Sequence, residues 1–412
     1  MQGRYIRLQI VISLLLTLAG NAPAEVIYVN AGNSGWKNAH SSLHDALKAA
    51  KKGDEIWVAT GTYAANGTPF QMIDGVDVIG GFSGNERSSN DCDPKSNTTI
   101  LDGGENTDHV VIGADNASLV GFTITGGNAK RKSRGQGRPP EGRPPRGQRP
   151  RQGGRQGPPT RGDFGQSGGN HTTPDQIAQS GGAGAGGGML NFGVSPEIID
   201  CIFINNYAGK GGGVYNADGA APTFTGCAFE DNKSDKRGGG VTNDLQSSPQ
   251  FYDCTFKGNE CNEKGGGLYN DFMCSPKLEQ CLFVKNSAGT RGGAMANDGS
   301  SSPVLVHCTI TDNTANDLGG GMYQGTYKAG GSGCNPTLIN CIVWGNHATG
   351  YENISNWHDD IPVIVHSDIG GGAPGEGNID TPPMFTNKYT LQNDSPCATA
   401  STTKGPIGRI KK

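Results

Sequence analysis

After its first two dozen residues, the 412-residue chain has no stretch approaching the roughly 18 consecutive apolar residues of a membrane-spanning helix. That excludes a transmembrane helix from the mature protein. Hydrophobic residues make up only 33% and aromatics 7%, too little for a conventional thick globular core. No glycine run leads into the Lys-Ser/Thr of a phosphate loop, so nucleotide binding by that device is excluded. No specific nucleic-acid motif is present either. What the chain has in excess is glycine, at 68 positions. A solenoid tolerates this composition, because each of its coils buries only a thin inner column.

Arg4 and Arg7, the largely apolar run from Leu8 to Ala19 and the small residues Ala22-Pro23-Ala24 predict an export signal over residues 1–24. The mature chain is then expected in the periplasm, on the outer surface or outside the cell. Net charge is −4, but residues 130–162 hold eleven Lys/Arg against one acid, Glu141. An acidic body therefore carries a basic arm, a pattern that reports on partners rather than on fold.

Internal repetition dominates the rest. Prolines recur at Pro196, Pro222, Pro249, Pro276, Pro303 and Pro336, each followed five residues later by a cysteine: Cys201, Cys227, Cys254, Cys281, Cys308 and Cys341. Five residues further lie Asn206, Asn232, Asn259, Asn286, Asn313 and Asn346. Glycine triplets begin at Gly186, Gly211, Gly238, Gly265 and Gly319, with Gly292-Gly293-Ala294 as the variant. Ile198, Phe224, Phe251, Leu278, Leu305 and Leu338 form one apolar column, and Phe203, Phe229, Phe256, Phe283, Ile310 and Val343 another. Each member of the second column lies two places after a cysteine, the strand period that puts both side chains on one face. The pattern predicts three short strands per 27-residue coil, stacked in parallel about 4.8 Å apart, so that every column becomes a ladder of like residues.

These motifs resemble the pectin-lyase-like right-handed parallel β-helix superfamily. More narrowly they resemble the GGA[ILV] and FxxN repeats of polymorphic outer-membrane proteins, here Gly292-Gly293-Ala294-Met295 and Phe203-Ile204-Asn205-Asn206. The resemblance implies an all-β, right-handed parallel β-helix and a surface or adhesin-like setting, while one scaffold of this kind hosts many functions.

The expected organisation is an N-terminal cap and first coils over 25–127, a disordered Arg/Pro/Gly-rich loop over 128–182, regular coils over 183–349, and a last coil with a C-terminal cap over 350–412. Ser42-Leu43-His44-Asp45 is a capping-box pattern, and Leu43, Ala46, Leu47 and Ala50 form the stripe of a short helix over the end of the stack. Strand-like runs at Val363–Ile369 and Tyr389–Gln392 complete the tail. The loop is too polar to offset its own ordering entropy.

Three columns are candidate sites. Lys210, Arg237, Lys264 and Arg291 each precede a glycine triplet. Stacked like charges repel, so this column favours a bound anion or nearby acids such as Glu263 and Asp235, although a solvated turn gives the same pattern. Tyr215, Tyr269 and Tyr323 follow inward residues and are expected to face outward about 9.6 Å apart, a spacing that suits sugar rings. Asp244, Asp271 and Asp298 align one place after a second asparagine column, a set that could hold Ca²⁺; no other cofactor is implied. The six aligned cysteines read as core residues. Cys92, Cys261, Cys274, Cys334 and Cys397 lie off that column, and export would allow some of them to pair, in an unassignable pattern.

Two functions fit. The first is non-enzymatic binding of polysaccharide or another polyanion, helped by the basic loop. The second is a lyase or hydrolase on acidic glycans, with Arg237, Lys264 or Arg291 as base and the aspartates holding metal. The basic and acidic columns flank a short strand at opposite ends, an arrangement that argues against their cooperating. No specific pair of catalytic carboxylates stands out.

Overall fold

The computed structural model describes residues 24–32, 35–130, 184–325, 333–357 and 360–410. The predicted export signal, except Ala24, and the basic loop beyond Lys130 lie outside the described residues.

Among the described residues, short strands stack into three parallel sheets that wrap one core. The first sheet has eleven strands, from Val26–Val29 at one end to Val363–Val365 at the other. The second has nine, from Phe70–Gln71 to Ile354–Asn356. The third has fifteen and takes two strands from each regular coil, such as Ile202–Ile204 and Tyr207–Lys210. A regular coil thus has four strands, not the three that the spacing predicts. The cause is visible beside the long strand Phe122–Ala129, which pairs with both Ile202–Ile204 and Tyr207–Lys210. In later coils Asn205 (φ 55°) and Asp231 (φ 51°) turn the chain in the left-handed region and split that strand in two.

Register follows the repeat. Phe203 pairs with Phe229, Phe229 with Phe256, and Phe256 with Phe283. Their rings stack nearly parallel at 5.3, 4.7 and 4.3 Å, all fully buried. Phe224 and Phe251 make a second stack at 5.0 Å, edge-on to the first. These aromatic contacts add to plain area burial. The cysteine column lies in the same core. Each thiol donates back to the preceding coil, for example Cys254 Sγ to Phe224 O and Cys281 Sγ to Phe251 O. Burial pushes the Cys254, Cys281 and Cys308 thiols well above their ordinary range, as expected of packing residues.

Two amide ladders line the corners. Asn232 Nδ2 donates to Asn259 Oδ1 (3.0 Å) and to Phe203 O (2.8 Å), and Asn259 and Asn286 repeat the arrangement one coil on. The second ladder runs Asn191, Asn216, Asn243, Asn270, Asn297 and finally Gln324, with Nδ2-to-oxygen steps of 2.7–2.8 Å. Such networks satisfy backbone that would otherwise be buried unpaired. The glycine triplets have two reasons. Gly238 needs its φ of 61°, whereas a Cβ on Gly239 would stand 2.5 Å from Glu260 O of the adjoining coil.

The helix forms over Leu43–Ala49, with Ser42 accepting from the Asp45 amide. Leu43, Ala46 and Leu47 enter the main core near the Val26–Val29 end of the stack. At the other end the chain continues past the last coil. Residues 370–380 cover only part of the last coil, Asn378 Nδ2 donating to Ile364 O. The following chain turns back along the outer side of the third sheet and buries Cys397 and Ile407 against Ile342. The predicted strand at Tyr389–Gln392 does not form. Leu391 makes an isolated antiparallel bridge to Phe385, within a local turn closed by the Thr386 amide on Thr390 O and the Gln392 amide on Met384 O.

Candidate functional site

The three candidate columns come together on the outer side of the second sheet, but as one closed network. Lys210 Nζ donates to Asp244 Oδ2 at 3.0 Å, and Lys264 Nζ to Asp298 Oδ2 at 2.8 Å. Arg237 donates to Asp271 at 3.3 Å and to Glu263 at 3.0 Å. Each of these lysine–aspartate and arginine–aspartate pairs joins residues 34 apart, one coil plus the width of the strand. The long basic stems cross the three-residue strand, so columns that the linear spacing separates are in contact. Arg291 has Gly325 where the next aspartate would stand, and it pairs instead with Asp317 at 3.0 Å. Of the acids predicted beside this column, Glu263 pairs with Arg237, whereas Asp235 accepts from Tyr207.

The tyrosines point away from the main core, as predicted, but they are not available to a ligand. Tyr215, Tyr269 and Tyr323 are 3%, 0% and 2% exposed. Tyr215 Oη donates to Asp244 (3.0 Å), Tyr269 Oη lies 2.8 Å from Asp298 and 3.1 Å from Asp271, and Tyr323 Oη accepts from Arg291 (2.9 Å). Burial is the main force raising the Tyr215 and Tyr323 hydroxyls above their ordinary range.

The aspartates are likewise engaged. Asp244 and Asp271 each also accept a backbone amide, from Leu245 and Phe272. Among the described residues no three His, Cys, Asp or Glu side chains are gathered as metal ligands. The three aspartates of the Ca²⁺ reading each accept from lysine, arginine or tyrosine. Asp271 is the tense point of the network. Burial, then the flanking Asp244 and Asp298 carboxylates, push its carboxyl up to about 6. Of the cysteines off the core column, Cys261, Cys274, Cys334 and Cys397 are buried free thiols.

A second feature escaped sequence reasoning. At the far end of the solenoid a cleft of about 630 Å³ opens into the last coil, within the usual size range of small-ligand sites. Its apolar lining includes Ile354, Ile364 and Ile369, of which Ile364 and Ile369 are buried in the main core and Ile354 packs against it. Trp344 and Tyr351 supply aromatic faces, and Glu352, Asn353, Asn356 and Asp360 supply polar groups. Tyr351 is 73% exposed. Asn353 is fixed by Asn346, which donates to it at 3.0 Å, and by its own bond to Gly370 O at 2.8 Å. The only sequence signal was the end of the repeat after Asn346.

Stacked parallel coils with columnar side chains define a parallel β-helix. Residues 187–361 match the family model described as right handed beta helix region. Residues 29–137 match a second model, described as a protein of unknown function (DUF1565). No curated protein sequence matches the chain. Among solved structures it is similar to pectate lyase Pel9A, at 12% identity and a TM-score of 0.46, over 95% of this chain and 98% of that one. It is also similar to a pectin methylesterase solved with a hexasaccharide, at 10% identity and a TM-score of 0.37, over 90% and 98%. A third likeness is to the pectin methylesterase PemA from Erwinia chrysanthemi, at 10% identity and a TM-score of 0.34, over 92% and 99%. Among the described residues no helix is long and apolar enough to cross a membrane.

Proposed function

We propose that the protein is an exported β-helix protein that binds polysaccharide without cleaving it, and that the cleft beyond Trp344 is where a sugar unit is held. One observation carries the reading: the exposed ring of Tyr351 and the half-buried ring of Trp344 line one cleft together with isoleucines and with amide and carboxylate groups. That combination matches a sugar ring, which has an apolar face and a polar rim. The carboxylates Glu352 and Asp360 in the lining favour a neutral or amino sugar in the cleft itself. Binding of a polyanion falls instead to the basic loop, which lies outside the described residues.

The lyase alternative has the geometry against it. Its candidate bases, Arg237, Lys264 and Arg291, each donate to a carboxylate, and the aspartates meant to hold metal are those of the same network. A glycan array probed with the mature chain tests the proposal. Binding should be lost in Trp344→Ala and in Tyr351→Ala, with the melting temperature of the exposed-site Tyr351→Ala variant staying near that of the parent. An absorbance screen on pectate and alginate should show no unsaturated product. Retained binding in both variants, or steady product formation, would overturn it.

A further inference from the structure

The C-terminal segment lies on the third sheet in a way that resembles a bound peptide more than a terminal coil. Between residues 401 and 410 the chain runs along the solenoid axis, across the strands. Gly408 N donates to Asn340 O at 2.7 Å, Arg409 N to Thr309 Oγ1 at 2.8 Å, and Ile410 N to Gln280 Oε1 at 2.7 Å. Three consecutive amides thus meet acceptors on three successive coils. The Arg409 guanidinium then reaches a fourth coil, bonding Asp253 Oδ1 at 2.6 Å, Asp253 O at 3.2 Å and Thr255 Oγ1 at 2.8 Å. Its side chain is only 7% exposed, while that of Asp253 is 61% exposed.

Two features make this a shaped track rather than a casual contact. Gly408 has a φ of 74°, and a Cβ there would stand 2.6 Å from Ile342 Cδ1 and 2.7 Å from Thr309 Oγ1. The position therefore selects glycine on both counts. The face also extends past its occupant. Beyond Asp253 the outward residues continue through Ala228 to Ile202, which is 40% exposed, with the exposed acid Asp200 just before that strand and Asp231 just past the far end of its neighbour.

We infer that this face of the third sheet is a recognition track for an extended, basic peptide containing Gly-Arg, and that residues 401–410 occupy part of it in cis. Backbone amides supply the affinity that does not depend on sequence, the Gly-Arg pair sets the register, and Asp253 reads the guanidinium. A partner's peptide would displace the tail and continue over Ala228 and Ile202 toward Asp231 and Asp200. The tail acts as a built-in competitor, since a tethered segment is present at an effective concentration on the order of millimolar.

The test is fluorescence anisotropy with a labelled peptide of the sequence of residues 401–410. It is titrated against the full chain, the full chain carrying Arg409→Ala, and a chain ending at Ala400. The shortened chain should bind at least tenfold more tightly than the full chain, and Arg409→Ala should fall between them. A peptide with alanine at its arginine should bind the shortened chain at least tenfold more weakly, as should the native peptide when Asp253→Asn is introduced. If the shortened chain retains its melting transition and binds no better than the full chain, the track does not exist. Should the shortened chain fail to fold, the full-length Arg409→Ala protein decides. A gain of threefold or more supports the inference, and no gain overturns it.

Discussion

Lys264 and Asp298 stand 34 residues apart in sequence and 2.8 Å apart in space, the lysine side chain 21% exposed and the aspartate 3%. Their contact closes a network that looked in the sequence like two unrelated columns. A pair this sheltered is weakly stabilising as a whole but costly to break on one side. Lys264→Met should therefore destabilise by about 3 kcal/mol, and the double variant Lys264→Met/Asp298→Leu should recover most of the loss. Urea titration of the two variants checks this. Equal midpoints for the single variant and the parent would show that the pair is an idle surface contact.

Asp271 sets a pH dependence of definite sign. Its folded carboxyl is pushed up to about 6, chiefly by burial, against about 3.9 for an unfolded aspartate. The folded state therefore holds the proton more tightly. This residue's contribution is fully present below about pH 4 and is lost as pH rises toward 6. The stability difference between the parent and Asp271→Asn should change across that window and level off above it. A difference that stays constant from pH 4 to pH 7 contradicts the assignment.

The stacked rings should respond to truncation as a close-packed core does. Phe256 touches Phe229 at 4.7 Å and Phe283 at 4.3 Å. Phe256→Ala should cost about 3–5 kcal/mol, whereas Phe256→Leu should cost clearly less. Chemical denaturation of both variants supplies the comparison, and similar losses in both would mean the cavity is relieved by collapse of the coils.

Thiol chemistry offers an independent reading of the interior. Burial pushes Cys261 and Cys274 up to about 12 and likewise holds the aligned Cys254, Cys281 and Cys308 well above the ordinary thiol range. The thiolate is the reactive form, so these groups should resist a disulfide reagent in the native protein and react at once in guanidinium. Fast labelling of Cys254 under native conditions, mapped by mass spectrometry, would place that column at the surface.

The winding was legible because inward residues repeat at fixed offsets. Phe229, Phe256 and Phe283 announce a shared file, and so do Cys227, Cys254 and Cys281. The outer network was not legible, for a physical reason. Lys264 meets Asp298 through side-chain length and the sharp glycine turn, neither of which leaves a trace in linear spacing. Likewise Tyr269 is correctly read as pointing away from the core, yet alternation along a strand says nothing about what packs over that outer face. The cleft near Trp344 arises where the repeat stops, and the track under Arg409 is lined by outward residues that do not repeat, such as Asp253 and Gln280, so periodicity had no purchase on either.

The head-to-tail amide column has a consequence for how such a chain can lengthen. Among the described residues it leaves one acceptor unmet at its first member, Asn191 Oδ1, and one donor unmet at its last, Gln324 Nε2. Inserting a copied 27-residue unit between them adds a rung that meets its own needs on both sides, so the tally of unmet groups stays at two whatever the number of rungs. Tandem duplication in the middle is therefore neutral for this column, while change at either terminus is not. Interior units are free to multiply, and the ends must be kept distinct.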